Sequence, residues 1–441
     1  MSKVQAGYKS TELGDIPEGW EIVSLVDVAD PNKPYALTGG PFGSDLKSEE
    51  YTELGVRIIQ LQNIKEGYFS NEYKIYTSEA KANQLFNCNI FPNDIIIAKM
   101  AEPVARACIM PKLHERYLMA SDGIRLAVNE EDYSTKYVMY AINSSYFRQQ
   151  AIDNSTGTTR LRIGLKTLKR LMLLKPSKEE QQKIATILST VDKDIEKTEA
   201  IIEQTEKVKK GLMQQLLTKG IGHTNFKKTE IGKIPDKWGI KTLGEVAEKI
   251  QDGTHFSPNT VENGYKYITS KNIRPFRFDL EDLKYISKED HEKIYKRCDV
   301  KKGDVLLTKD GVNTGNTLIN TFEEEVSLLS SVCFIRCGNE LNNEYLCQYL
   351  NSDNLRKSIN EKMTGNAIKR LTLTTIKSME IALPPIIEQK QIASILSSFD
   401  EKISKENAKL FQLTKVKKGL IQSLLTGKVR VKADEAEVTQ V

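Results

Sequence analysis

No stretch of this chain approaches the eighteen or so consecutive apolar residues of a membrane-spanning helix, and the opening MSKVQAGYKS has no apolar core of the kind a secretion signal carries. A cytoplasmic location with no membrane partner is the default expectation. Histidine is scarce: His114, His223, His255 and His291 are scattered and form no HExxH zinc motif. The six cysteines, Cys88, Cys108, Cys298, Cys333, Cys337 and Cys347, include no CxxC pair and no histidine at metal spacing. They read as reduced, mostly buried thiols, with Cys333 and Cys337 on one face of a strand. There is no GxxxxGK[ST] phosphate loop and no GxSxG elbow, so neither nucleotide hydrolysis nor serine chemistry has support by those routes. A nuclease pairing an aspartate with a later acid-x-Lys is incomplete at Asp94 and Lys99 and at Asp304 and Lys309, because Ile97 and Leu307 stand where the second acid belongs. The Asn-Pro-Pro-aromatic tetrapeptide and glycine-rich nucleotide loop of an amino-methyltransferase are missing too. The net charge of +5 is mild; it permits a nucleic-acid partner without arguing for one. The expectation is a chain without catalytic residues, metal or cofactor of its own.

What the chain does have is repetition. EQQKIATILSTVDKDI from Glu180 returns as EQKQIASILSSFDEKI from Glu388, and KVKKGLMQQLLT from Lys207 as KVKKGLIQSLLT from Lys415, both at a shift of 208. Upstream, TELGDIPEGWEIVSLVDVA from Thr11 returns as TEIGKIPDKWGIKTLGEVA from Thr229 at a shift of 218, so the intervening segment is ten residues shorter in the second half. In each late segment apolar residues recur three or four apart, which predicts a long helix starting after Pro176 or Pro384-Pro385, with Ser177 and Glu180 as a capping box. At 1.5 Å per residue such a rod is about 60 Å long. A rod with one apolar stripe needs a partner, and the twin is the obvious one. The expected packing residues are Ile184, Leu188, Val191, Ile195 and Leu212 on the first helix and Ile392, Leu396, Phe399, Ile403 and Leu420 on the second, with Val208 and Val416 continuing the stripes. Both helices keep an internal glycine, Gly211 or Gly419, at a cost of about 1 kcal/mol, which suggests close approach of the rods there.

Between lead-in and helix lie two diverged bodies with a common skeleton of short β-branched runs. GVRIIQLQNI (Gly55 to Ile64) is echoed by GYKYITSKNI (Gly264 to Ile273), PNDIIIAKM by KGDVLLTKD, and SDGIRLAVN by SVCFIRCGN. A brief helix and a Gly-Thr loop follow in each, TGTTRLRI from Thr156 and TGNAIKRL from Thr364. The division expected is 1–175 and 221–383 for the bodies with their lead-ins, 176–220 and 384–430 for the helices, and 431–441 for a disordered tail. Trp20 and Trp238, the only tryptophans, read as core anchors.

Taken together, IPEGW and IPDKW, GGPFGSDLKSEEY, IIQLQNI, TGTTRLRI, PSKEEQQKIATILSTVD and PPIIEQKQIASILSSFD resemble, in order and over nearly the whole chain, the specificity subunits of type I restriction-modification systems. One departure is that the second body shows QDGTHFSP where the first has its PFGS turn, so the two should read different sequences. The resemblance implies an α+β fold: two mixed α/β target-recognition domains separated by two long antiparallel helices in a coiled coil, a pseudo-twofold tandem repeat. It implies a non-catalytic reader of a bipartite double-stranded DNA site. Its partners would be two DNA adenine methyltransferase subunits and two restriction and motor subunits, which would hold S-adenosylmethionine, ATP and Mg²⁺. Base edges are read by Arg, Lys, Asn and Gln, while lysines and hydroxyls hold phosphates. The candidates are Gln60, Gln62, Asn63, Lys99, Thr158, Arg160 and Arg162 in the first body, and Thr269, Lys271, Asn272, Lys309, Asn366, Lys369 and Arg370 in the second. The competing reading is a structural adaptor that binds protein or glycan through two domains on a helical clamp.

Overall fold

The computed structural model describes residues 6–100, 102–353, 355–356 and 370–431. The chain forms two compact units, Met1–Lys197 with Leu410–Val441, and Thr198–Lys409. Each unit therefore takes one body together with a segment from each of two long helices, Lys178–Lys219 and Ile386–Leu424. The expected tail lies, from residue 432 onward, outside the described residues.

In the first unit five strands organise the body: β1 (Leu37–Gly39), β2 (Val56–Ile59), β3 (Ile95–Ala98), β4 (Tyr117–Met119) and β5 (Gly123–Leu126). A four-stranded sheet runs Ala107–Ile109, β3, β5, β1, all antiparallel. The other sheet joins β2 to β4 in parallel. The second unit repeats this with β6 (Ala247–Asp252), β7 (Tyr265–Ile268), β8 (Val305–Thr308), β9 (Ser327–Leu328) and β10 (Val332–Cys337): the order β6, β10, β8, Thr317–Ile319 in one sheet, and a parallel β7 and β9 in the other. The period-two alternation of a strand divides the core. Ile95 and Ile97 face a cluster with the helices, whereas Ile96 and Ala98 face a cluster shared with the β2–β4 sheet. Val305 and Leu307, against Leu306, divide the second core in the same way.

The duplicated lead-in is explained by its tryptophan. Trp20 is buried and its indole N–H donates to Glu180 Oε2 at 3.0 Å; Trp238 does the same to Glu388 Oε2 at 3.0 Å. Glu180 is also held bidentately by Arg430 at 2.8 and 2.9 Å, and Glu388 contacts His223 at 2.9 Å. The capping box is thus only half formed: Ser177 Oγ accepts from Glu180 N at 3.3 Å, but the Glu180 carboxylate is spent on the tryptophan and arginine. A left-handed glycine, Gly220 (φ 63°), directly follows the first long helix, and another, Gly427 (φ 71°), lies three residues past the end of the second. A Cβ on Gly220 would lie 2.4 Å from Glu388 Oε1, so glycine is required there by contact as well as by backbone.

Within each unit the helix segments run antiparallel, coiled-coil fashion. In the first, Ile184 and Leu188 share a core with Leu424, and partners descend from Arg430 to Lys417 as the first helix climbs from Glu180 to Asp192. In the second, Ile392 and Leu396 share a core with Met213, Leu216 and Leu217, with Leu212 packed at its edge, and Lys209 pairs with Asp400 at 2.6 Å. Leu420 packs at the edge of the first core, and Val191, Ile195, Phe399 and Ile403 are half-buried. Two expectations need correction. Val208 and Val416 are exposed, and the neighbouring Lys209 and Lys417 turn inward to aspartates instead. Gly211 and Gly419 are exposed, and among the described residues nothing lies within 4 Å of a Cβ placed on either, so close approach of the rods does not account for them. Gly211→Ala and Gly419→Ala should therefore each raise stability by about 0.5–1 kcal/mol, read as a higher urea midpoint of the isolated chain. A fall in that midpoint would mean that the glycine backbone has a contact or conformation alanine cannot share.

Five of the cysteines are buried and Cys337 is half-buried, all as free thiols. Burial pushes the Cys108, Cys298, Cys333, Cys337 and Cys347 thiols up to about 12 and Cys88 to about 11, leaving them almost without reactive thiolate at neutral pH. Among the described residues no helix is long and apolar enough to cross a membrane.

Candidate nucleic-acid interface

In the first unit the strand ends converge. Ala120, just past β4, donates to Ile59 O at 2.9 Å, bringing the Gln60 end of β2 beside it. Lys99 N, just past β3, donates to Asp122 O at 2.7 Å, and its ammonium donates to Ser121 O at 3.1 Å. Gly40, just past β1, donates to Gly123 O at 2.9 Å. The Gly-Thr loop joins them: Ile163 N donates to Lys99 O at 2.9 Å, and Arg162 pairs with Asp122 at 3.1 Å. Five chain segments distant in sequence so present Gln60, Lys99 and Arg162 on one face.

The second unit builds the matching face. Leu329 N donates to Ile268 O, Lys309 N to Ser331 O and Leu371 N to Lys309 O, each at 2.9 Å, and Arg370 pairs with Asp310 at 3.0 Å. The two lysines differ. Burial, and then the neighbouring Arg162 guanidinium, hold the half-buried Lys99 ammonium below the usual lysine range against the opposing pull of Asp122. Among the described residues no carboxylate lies within ion-pair distance of it. Lys309 is instead buried, 3.4 Å from Asp252 Oδ2 and 3.8 Å from Asp310 Oδ2. Asp252 also meets His255 and Arg297, each at 3.3 Å. Strand register explains the contrast: Asp252 stands opposite Cys333 on β10, and the matching place beside β5, opposite Ile124, is held by Gly39, which has no side chain to offer Lys99.

Several candidates receive other duties. Asn63 is buried; its Oδ1 accepts from Gln60 N at 3.0 Å while its amide donates to Ser70 O and Tyr73 O, so it ties a turn and has no donor left for a base. Asn272 does likewise through Thr269 N, Thr269 Oγ1 and Asp279 O. Thr269, half-buried, caps the short turn by accepting from Lys271 N at 3.3 Å. With Lys309, these three are structural by geometry. Gln62, Thr158, Arg160 and Lys271 are exposed and Gln60 is half-buried. Asn366 and Lys369 lie outside the described residues. The nuclease-like aspartates are structural too: Asp94 pairs with Arg125 at 2.7 Å and Asp304 with Arg336 at 2.9 Å. Among the described residues no three His, Cys, Asp or Glu side chains gather as a metal cage. The residues missed are Asp252, whose signal was the unlike QDGTHFSP turn, and Phe42, 82% exposed in the GGPFGS turn.

The sequence model of the family described as type I restriction modification DNA specificity domain matches residues 17–207 and 235–415, one copy per half. The chain is 27% identical over 429 residues to the type I restriction enzyme MjaVIII specificity subunit of Methanocaldococcus jannaschii, covering 95% of this chain and 94% of that one. It is 24% identical to the EcoBI specificity subunit of Escherichia coli, over 86% of this chain and 79% of the relative. The crystal structure of the type I restriction-modification S subunit from M. genitalium shares the fold, with a TM-score of 0.58 at 16% identity over 96% of this chain and 98% of that one. With both halves matched by one family model and the order of the four-stranded sheet repeated in the two units, this chain belongs to the type I restriction modification DNA specificity family.

Proposed function

We propose that the chain is the non-catalytic, sequence-specific DNA-binding subunit of a type I restriction-modification complex, each body (1–175 and 221–383) reading one half of a bipartite site in the major groove. The observation that carries this is the twofold occurrence of one strand-end face, with Lys99 and Arg162 in the first unit and Arg370 in the second, on bodies whose turns differ in sequence. Two faces of one construction with unlike side chains suit two unlike half-sites. The helices 176–220 and 384–430 would fix the gap between half-sites and carry two adenine methyltransferase subunits, with restriction and motor subunits joining to cleave. S-adenosylmethionine, ATP and Mg²⁺ would belong to those partners. Within this reading Gln60, Gln62, Lys99, Thr158, Arg160 and Arg162 are the contact residues of the first body, and Lys271 and Arg370 those of the second.

The test is selection from random duplexes by the chain with its methyltransferase subunits. One interrupted sequence should be enriched; no enrichment would favour an adaptor. The lysines then provide a sharper check. Lys99→Ala should weaken binding evenly across sequences and lower the slope of log affinity against log salt by about 1, as loss of one phosphate contact does. Lys309→Ala should leave that slope unchanged and cost about 2 kcal/mol of stability, because Asp252 stays buried with Arg297 and His255 as its remaining partners. Equal salt slopes for the two variants would remove Lys99 from the contact set.

A further inference from the structure

The first body carries a large apolar side chain that stays in solvent. Phe42 stands on the turn after β1, with its ring 82% exposed. The turn is fixed on both sides. Gly40 donates to Gly123 O, and a Cβ there would come 1.9 Å from Ala120 O. Beyond the phenylalanine, Asp45 N donates to Phe42 O at 2.9 Å and Phe42 N to Asp45 Oδ2 at 3.2 Å. Hiding a phenyl ring from water is favourable, so a fixed turn that keeps one in solvent gains nothing for the core. Single exposed apolar residues are common. This one recurs: the turn after the matching strand β6 carries Phe256, 46% exposed, behind Gly253, where a Cβ would lie 2.0 Å from Leu328 O. Phe256 N is tied to Thr254 Oγ1 at 3.2 Å. GGPFGS and DGTHFS otherwise share little. The root of the first turn also touches the lysine, since a Cβ on Gly39 would lie 3.5 Å from Lys99 Nζ.

We propose that Phe42 is a specificity-determining residue of the first recognition body, its ring meeting the C5-methyl group of a thymine in the major groove. This rests on the DNA-reading function proposed above. A phenyl ring has no hydrogen bond to offer, and the one apolar feature on a major-groove base edge is the thymine methyl. The adjoining Lys99 would hold a phosphate while the ring reads the base, so one turn supplies both position and identity. Insertion between base steps is the alternative use of an exposed ring, and it belongs to minor-groove wedges that kink the duplex.

The experiment uses the full chain with its methyltransferase subunits and the bipartite duplex it selects. Each thymine in the half-site read by the first body is replaced in turn by deoxyuridine, which removes only the methyl. At one position the wild type should lose about fourfold in affinity, the value of one methyl group at about 0.8 kcal/mol. Phe42→Ala should bind the thymine duplex at least fourfold more weakly and be indifferent to deoxyuridine at that position; melting of the exposed variant should match the wild type. Additive losses, an even loss at every sequence, or a first half-site with no thymine in either strand overturns the proposal while leaving the DNA-reading function intact. Failure of the wild type to select any bipartite sequence overturns both.

Discussion

Lys209→Ala should destabilise the protein by about 2–3 kcal/mol, and Lys417→Ala by about 1 kcal/mol or less, although the two lysines are matched positions of one repeat. Lys209 has only 7% of its side chain exposed, sits 2.6 Å from Asp400 and places its ammonium 3.5 Å from the centre of the Phe276 ring. Asp400 takes a second hydrogen bond, from Gln348 at 2.8 Å. Removing the lysine takes away the aspartate's charged partner, leaves it only a neutral one, and empties the space that the buried lysine stem and ammonium fill against Phe276. Lys417 and Asp192 form the same bridge at 2.6 Å, with Tyr140 O–H in place of the glutamine, but Lys417 is 27% exposed, so its removal empties little packed space and water can take its place. Urea unfolding of the two variants measures the difference. The double variant Lys209→Met with Asp400→Leu should recover most of the loss, because an apolar pair has no charge to strand. Equal losses for Lys209→Ala and Lys417→Ala, or no recovery in the double variant, would show that the buried bridge is not the source.

How far the sequence revealed this architecture can be judged from the same lysines. The tandem repeat, the long helices, the matched strands and the buried tryptophans were legible because each rests on a pattern that apolar residues or exact recurrence carry. The helix seam was not fully legible: an apolar period assigns Val208 and Val416 to it, and only three-dimensional pairing shows that charged neighbours occupy the inward positions. Asn63 and Asn272 illustrate a second limit. At the end of a strand an asparagine serves equally well to read a base or to tie the turn, and the choice depends on carbonyls seven to ten residues away. The contrast between Lys99 and Lys309 depends on strand register, which brings Gly39 opposite Ile124 and Asp252 opposite Cys333. The candidate site was therefore legible as a region and as a list of residue types, whereas the state of each side chain followed from long-range contacts that no local pattern encodes.

Lengthening both long helices together should lengthen the gap in the recognised site, and lengthening one alone should damage the protein instead. The reason lies in the Asp–Lys bridges. Seventeen positions separate Asp192 from Lys209 on the first helix, and seventeen separate Asp400 from Lys417 on the second. Each helix supplies one aspartate and one lysine, so two antiparallel helices close both bridges only when those counts agree. Four residues duplicated after Glu199 alone advance the first helix by about 6 Å and turn it about 40°, leaving one bridge and the apolar contacts around it out of register. That variant should lose about as much stability as Lys209→Ala. The same duplication after Glu199 and after Asn407, its match in the repeat, keeps the counts equal and both bridges closed. Under the proposed function the half-sites would then move apart by about 6 Å, close to two base pairs at 3.4 Å each. Selection from random duplexes should return both half-sites unchanged around a gap one or two base pairs longer. An unchanged gap would show that the helices do not set the spacing, and altered half-site bases would show that the recognition bodies do not read independently of them.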